Sequence, residues 1–173
     1  MANLKSKMKT TAFFTRILSW LTGSRLTVDN SVVRELDLNR FLGSWYEVAR
    51  FDHFFEHSMS QTKANYVLRE DGDIDVINTG IKDGKSKTAK GKAKRTDTPA
   101  LFRVSFFGPF YSDYRVMLFD ADYRYMLIGS GSDTYLWILS RTPQLSDSDR
   151  TTILTEAQRR GYDTTKLIWV KQD

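Results

Sequence analysis

Histidine, the side chain best suited to acid–base or metal chemistry near pH 7, occurs twice, and both copies fall in one stretch with two carboxylates, Asp52-His53-Phe54-Phe55-Glu56-His57. On a helix His53, Glu56 and His57 would have a metal-binding spacing. The stretch reads as a loop, however, so packing and surface roles are expected and no metal. Serines are numerous, but there is no G-x-S-x-G elbow, and neither histidine has an evident nucleophile to serve. No glycine loop of the phosphate-cradling kind occurs. Cysteine is absent altogether, which excludes disulfides, thiol catalysis and cysteine–zinc sites. The expectation is a protein with no catalytic residues and no cofactor.

The net charge of +5 hints at nucleic acid until it is located. Residues 1–25 carry Lys5, Lys7, Lys9, Arg16 and Arg25 and no acid, and taking those five from 26 leaves 21 bases against 21 acids. The remainder is neutral, so no nucleic-acid partner is expected.

Positioning falls to a set of short alternating runs. Leu38 to Arg50 begins as a helical turn, and from Gly43 onward the period becomes that of a strand. Further strands are expected over Gln61–Arg69, Ile74–Gly80, Lys87–Thr96, Leu101–Phe107, Asp113–Phe119, Tyr125–Gly129 and Thr134–Ser140, joined by short turns such as Glu70-Asp71-Gly72-Asp73. After Pro143 the period changes. Ser146-Asp147-Ser148-Asp149 starts a helix, Ile153, Leu154 and Ala157 give it an apolar stripe, and Gly161 ends it before a last strand over Lys166–Val170. Eight meandering strands suit a closed up-and-down barrel, and on counting alone an open sandwich as well.

Gly43-Ser44-Trp45 opening the first strand, the turn Asp120-Ala121-Asp122-Tyr123, and Arg141 ending the eighth strand together resemble the lipocalin signature. The flanking Ser105–Tyr111 and Leu136–Pro143 look like the bacterial outer-membrane members, and the resemblance covers roughly residues 32–172. It implies an all-β fold: an eight-stranded antiparallel up-and-down barrel with a C-terminal α-helix and a short ninth strand. It also implies that Trp45 and Arg141 stack across the closed end, which favours the barrel over the sandwich.

Continuing the phase set by Trp45 sends Glu47, Ala49, Ala64, Tyr66, Leu68, Ile74, Val76 and Asn78 inward. Ala89, Gly91, Ala93, Phe102, Val104, Phe106, Tyr114, Val116, Leu118, Met126, Ile128, Tyr135, Trp137 and Leu139 follow. The small residues Ala89, Gly91 and Ala93 opposite rings leave room for a ligand. The expected ligand-binding residues are Ala64, Tyr66, Asn78, Ala89, Gly91, Ala93, Phe106, Tyr114, Met126, Tyr135 and Trp137. Such a cup suits an acyl chain, and the resemblance narrows this to a fatty acid or lysophospholipid, carried for membrane lipid transport, storage or repair under stress. Alternatives are an enzyme on the same barrel acting on a lipid through Glu47 or His53, and a structural barrel filled by its own rings. Glu47, if inward, must be paired or neutral, with a tyrosine as the expected partner. The connections 52–60, 81–86, 107–113 and 129–134 should ring the mouth. There Phe107, Phe110 and Tyr111, with a stripe of lysines from Lys82 to Lys94, point to a membrane surface.

Residues 1–30 form a basic and apolar arm and 31–173 the domain. The arm has the layout of a secretory signal, of a helix lying on a membrane, or of a plain tail. The resemblance implies a cell-envelope place, periplasm or outer-membrane periphery. The acylated cysteine usual in bacterial relatives has no counterpart here. A homodimer is left open.

Overall fold

The computed structural model describes residues 27–54 and 56–173, so the readings of the arm over residues 1–25 lie outside the described residues. The elements are α1 (Leu38–Phe41), β1 (Gly43–Phe51), β2 (Ser60–Leu68), β3 (Ile74–Lys82), β4 (Lys85–Arg95), β5 (Leu101–Phe107), β6 (Phe110–Phe119), β7 (Tyr125–Gly129), β8 (Leu136–Ser140), α2 (Asp147–Arg159) and β9 (Leu167–Trp169). Every pairing is antiparallel, and β8 returns to β1, so eight strands close a barrel while β9 adds to the far half of β1. The expected order of elements stands. β6 begins earlier than its alternation suggested, at Phe110, and β8 later, at Leu136.

Two apolar layers result. Inside the barrel lie Trp45, Ala64, Tyr66, Ile74, Val76, Ala93, Phe102, Val116, Met126, Ile128 and Leu139, with Phe41 of α1 among them. Residues 32–42 run under one end, where Val32, Val33, Leu36, Leu38 and Leu42 close it. Outside, Ile153 and Ala157 of α2 pack on Phe51, Met117, Leu127 and Ile138. Helix α2 is capped as its sequence suggests: Ser146 accepts from the Asp149 N–H at 3.1 Å. At the other end Gly161 takes φ +91°, and the Tyr162 N–H reaches back to the Ala157 carbonyl at 3.0 Å. Residues 27–30, grouped with the arm on sequence, are bonded to the domain, with Asp29 N–H on the Arg160 carbonyl at 2.8 Å and Asn30 Nδ2 on the Ser130 carbonyl at 2.8 Å.

The alternation breaks at β-bulges, and there the expected inner face needs correction. One extra residue flips the phase of everything after it. A register shift between Glu47 and Ala49 sends Ala49 outward, beneath α2, and turns Arg50 toward Glu47. A second between Val116 and Leu118 puts Leu118 in the outer layer and Phe119 against the inner one. Leu68, at the end of β2, is exposed. The β3–β4 hairpin also projects. Its strands pair from Ile74 opposite Ala93 to Lys82 opposite Lys85, but β5 meets β4 only over Lys92–Arg95. Ala89 sits on the projecting part and is exposed, not set in a cavity wall.

Candidate functional site

The two ends of the barrel differ in kind. At the closed end the Arg141 guanidinium lies 3.6 Å from the centre of the Trp45 ring. Arg141 donates to the carbonyls of Ser44 at 2.7 Å and Leu42 at 2.9 Å, while Trp45 Nε1 donates to the Phe41 carbonyl at 2.8 Å. Gly43 has φ +88°, and a Cβ there would meet Arg141 Nη1 at 3.6 Å. In the signature turn, Asp120 accepts from the Arg124 and Tyr125 N–H groups, and the Tyr123 hydroxyl accepts from Asp37 N–H at 2.8 Å. Asp122 only reaches Arg40 at 4.0 Å, with its side chain 80% exposed. This end is a structural closure.

Of the expected ligand-binding residues, Ala64, Tyr66, Ala93 and Met126 are buried in the barrel, and Phe106, Tyr114 and Trp137 pack partly buried against them. The Tyr66 and Tyr114 hydroxyls bond each other at 2.6 Å. The Asn78 Oδ1 is buried without a hydrogen-bond partner. Tyr135, just ahead of β8, stacks on Trp137 with ring centres 5.7 Å apart. Gly91 departs from expectation. A Cβ there would come within 2.7 Å of both the Phe106 ring and the Ser105 carbonyl, so the space beside this glycine is taken by a neighbouring ring and backbone.

Beneath the mouth lies a polar cluster that sequence alone did not assemble. Arg50 is 1% exposed and donates from Nη1 to Glu47 Oε1 at 2.7 Å. From Nη2 it reaches the Glu56 carbonyl at 2.6 Å and the Met59 carbonyl at 3.2 Å, tying the β1–β2 loop down. Thr62 Oγ1 donates to Glu47 Oε1 at 3.3 Å. Glu47 is thus paired with an arginine and a threonine, not with the tyrosine expected. From the loop Glu56 points in: its Oε2 accepts from Trp137 Nε1 at 3.3 Å and lies 3.2 Å from His53 Nε2. His57 stays on the surface with Asp52, so the two histidines are separated. No group of three or more metal-binding side chains occurs among the described residues.

One guanidinium faces two carboxyl groups, and the electrostatics follow. Burial raises the Glu47 carboxyl against the pull of Arg50. Burial and the proximity of Glu47 push Glu56 up to about 8. Burial, helped by Arg50, lowers His53 to about 4, so it is neutral near pH 7. The signal for Arg50 was present in the sequence. An inward carboxylate requires a cation, and Arg50 stands three residues on; strict alternation assigned it to the other face.

The chain is similar to known proteins over most of its length. A family model described as a lipocalin-like domain matches residues 36–172. The outer membrane lipoprotein Blc of Citrobacter freundii is 48% identical over 146 residues, 82% of each chain. The protein of that name from Vibrio cholerae is 41% identical over 168 residues, 93% of this chain and 98% of that one. The temperature-induced lipocalin-1 of Arabidopsis thaliana is 37% identical over 79% of each. Among solved structures, lobster apocrustacyanin A1 superposes with a TM-score of 0.69 at 20% identity, covering 87% of this chain and 89% of that one, a likeness of fold.

Proposed function

The chain belongs to the lipocalin family, and from that premise we propose that it is a carrier holding a fatty acid or lysophospholipid in the barrel, for lipid transport, storage or repair in the cell envelope. The observation that carries the reading is the gradient inside the barrel. Apolar and aromatic side chains line the closed half, and the charged and hydrogen-bonding groups gather under the mouth. An acyl chain would enter tail first, with its polar end left at the cluster. The relatives named as outer membrane lipoproteins support the compartment.

The carrier is favoured over an enzyme by the state of the candidate groups. The Glu47 carboxyl is tied to Arg50 and Thr62, and burial holds His53 neutral with a pKa of about 4, too low for a strong base. Delivery to a membrane fits the rim. Phe107 is 79% exposed and Phe110 51%, on the β5–β6 turn, and Phe54 is exposed on the β1–β2 loop. The neighbouring β3–β4 hairpin carries Lys82, Lys85, Lys87 and Lys90, none in an ion pair among the described residues. Anionic headgroups suit such a rim. Native mass spectrometry of protein purified from its own host is the test. A co-purified acyl lipid is the expected result. An empty barrel that takes up no added lipid would instead support the filled structural barrel, which the Phe106 ring over Gly91 favours locally.

A further inference from the structure

Glu56 belongs to the loop over the mouth, yet its carboxyl occupies the place where the polar end of a ligand would arrive. Its side chain is only 12% exposed. Around its Oε2 stand Trp137 Nε1 at 3.3 Å, His53 Nε2 at 3.2 Å and Arg50 Nε at 3.9 Å. The other arms of the Arg50 guanidinium are engaged, Nη1 with Glu47 and Nη2 with two loop carbonyls. Its Nε, by contrast, is buried and has no hydrogen-bond partner, because Glu56 stops short of it. A buried charged donor left unused is costly, and it faces the same spot as the indole N–H. An arginine donor and an indole donor converging in a nearly dry pocket suit a carboxyl group. The one found there is supplied by the chain itself, and it fits imperfectly.

We infer that the Glu56 carboxyl stands in for the carboxyl of a ligand, and that a free fatty acid binds by displacing it from Trp137 and Arg50. The inference rests on the carrier reading and adds which atoms receive the head of the ligand. The exchange makes and breaks no covalent bond other than to a proton. Inside, Glu56 holds its proton near neutrality. Turned out to water it releases that proton, and the incoming carboxylate meets Arg50 Nε as an ion pair, which an ester cannot form. The backbone need not leave, since the Glu56 carbonyl remains on Arg50 Nη2 while the side chain rotates away. A fatty acid can also approach Arg50 Nε more closely than Glu56 does, because its carboxyl is not tethered to the loop.

The test compares an acid with its ester. Lauric acid and methyl laurate are titrated into the whole chain by calorimetry, using wild type, Glu56→Ala and Glu56→Gln. Removing the competing carboxyl should raise affinity for lauric acid about tenfold, the equivalent of one hydrogen bond to a charged group, with methyl laurate changed by about twofold or less. Glu56→Gln, which keeps a neutral side chain on Trp137, should show no such gain for lauric acid. Equal gains for acid and ester in Glu56→Ala would mean that the side chain is only an obstruction, and the inference falls. So it does if the ester binds but lauric acid gains nothing. Binding of neither compound by any of the proteins would overturn the carrier reading itself. If alanine loosens the loop, Glu56→Ser, too short to reach Trp137, repeats the comparison with the same outcomes.

Discussion

Each end of the barrel is organised by an arginine, and the two are used in opposite ways. Arg141 covers the Trp45 ring and gives its N–H groups to backbone carbonyls, partners that carry no charge and do not titrate. Arg50 is more deeply buried and faces Glu47 and Glu56, partners whose charge depends on pH. The first arrangement can only be intact or broken. The second has several protonation states and leaves a donor unused, which suits the ligand exchange proposed above. A guanidinium therefore does not by itself mark a lipocalin-type end as structural or functional; its partners do.

Breaking the closed end should have the largest effect. Trp45→Ala empties a fully buried site and uncovers Arg141, for a loss of roughly 3–5 kcal/mol in urea unfolding. Arg141→Ala should lose less, and the two losses should not add. Additive losses in the double-mutant cycle would separate the two residues energetically and undo the contrast from this side.

Breaking the mouth should be milder. Arg50→Met removes the guanidinium beside Glu47 and frees the Glu56 and Met59 carbonyls. The carboxyl can respond by taking a proton, so the expected loss is about 3 kcal/mol, at the low end for a broken buried pair. It should shrink as the pH is lowered, since burial already favours the neutral Glu47 carboxyl, which leaves no charge unpaired. A loss independent of pH would mean that packing of the Arg50 stem, and not its charge, holds this end.

The smallest effect sharpens the contrast, because it isolates titration. His53, folded at about 4 against 6.5 unfolded, stays unprotonated while the unfolded chain takes up a proton. Its contribution is present above pH 6.5 and lost as pH falls toward 4, by about 3 kcal/mol at most. Glu56, folded at about 8 against 4.5 unfolded, runs the other way: its proton stabilises the fold below pH 4.5, and this is lost as pH rises through 8. The two windows overlap between about pH 4.5 and 6.5, where the opposite slopes cancel, so stability should be level there and fall below about 4.5 and above about 6.5. In Glu56→Gln the decline on the alkaline side should flatten and the His53 rise should extend uncancelled up to about pH 6.5, as read from thermal midpoints across pH 4 to 9. An unchanged alkaline limb would place the titration elsewhere than at Glu56.

The frame of the molecule was legible because it is written in local chemistry. Gly43, the Asp120 turn, Ser146 and Gly161 each specify a backbone conformation or a cap, and each lies where its residue type requires. Alternation placed most inward side chains correctly, from Ala64 to Leu139. It failed after Glu47 and after Val116, since a bulge is a register event between two strands and one strand's sequence does not announce it. That failure hid Arg50, the centre of the polar cluster. The roles of Glu56 and Trp137 were hidden for another reason. They are 81 residues apart, and only the fold of a loop over the mouth brings them together. Gly91 was read as empty space, whereas the neighbouring strand had already filled it.

The projecting β3–β4 hairpin has a consequence for solubility. From Lys85 to Lys90 no strand among the described residues flanks β4 on its β5 side, leaving backbone donors and acceptors open to water. Such an edge is a template on which a strand from another molecule can grow, and sheets that grow this way end as aggregates. Lys85, Lys87 and Lys90 stand along it, so two such edges repel before they can pair. The lysines of this strand, proposed above to meet a membrane at the mouth, are at the same time a guard against self-templating. Acetylation of these amines, which erases their positive charge, should turn the barrel into a seed.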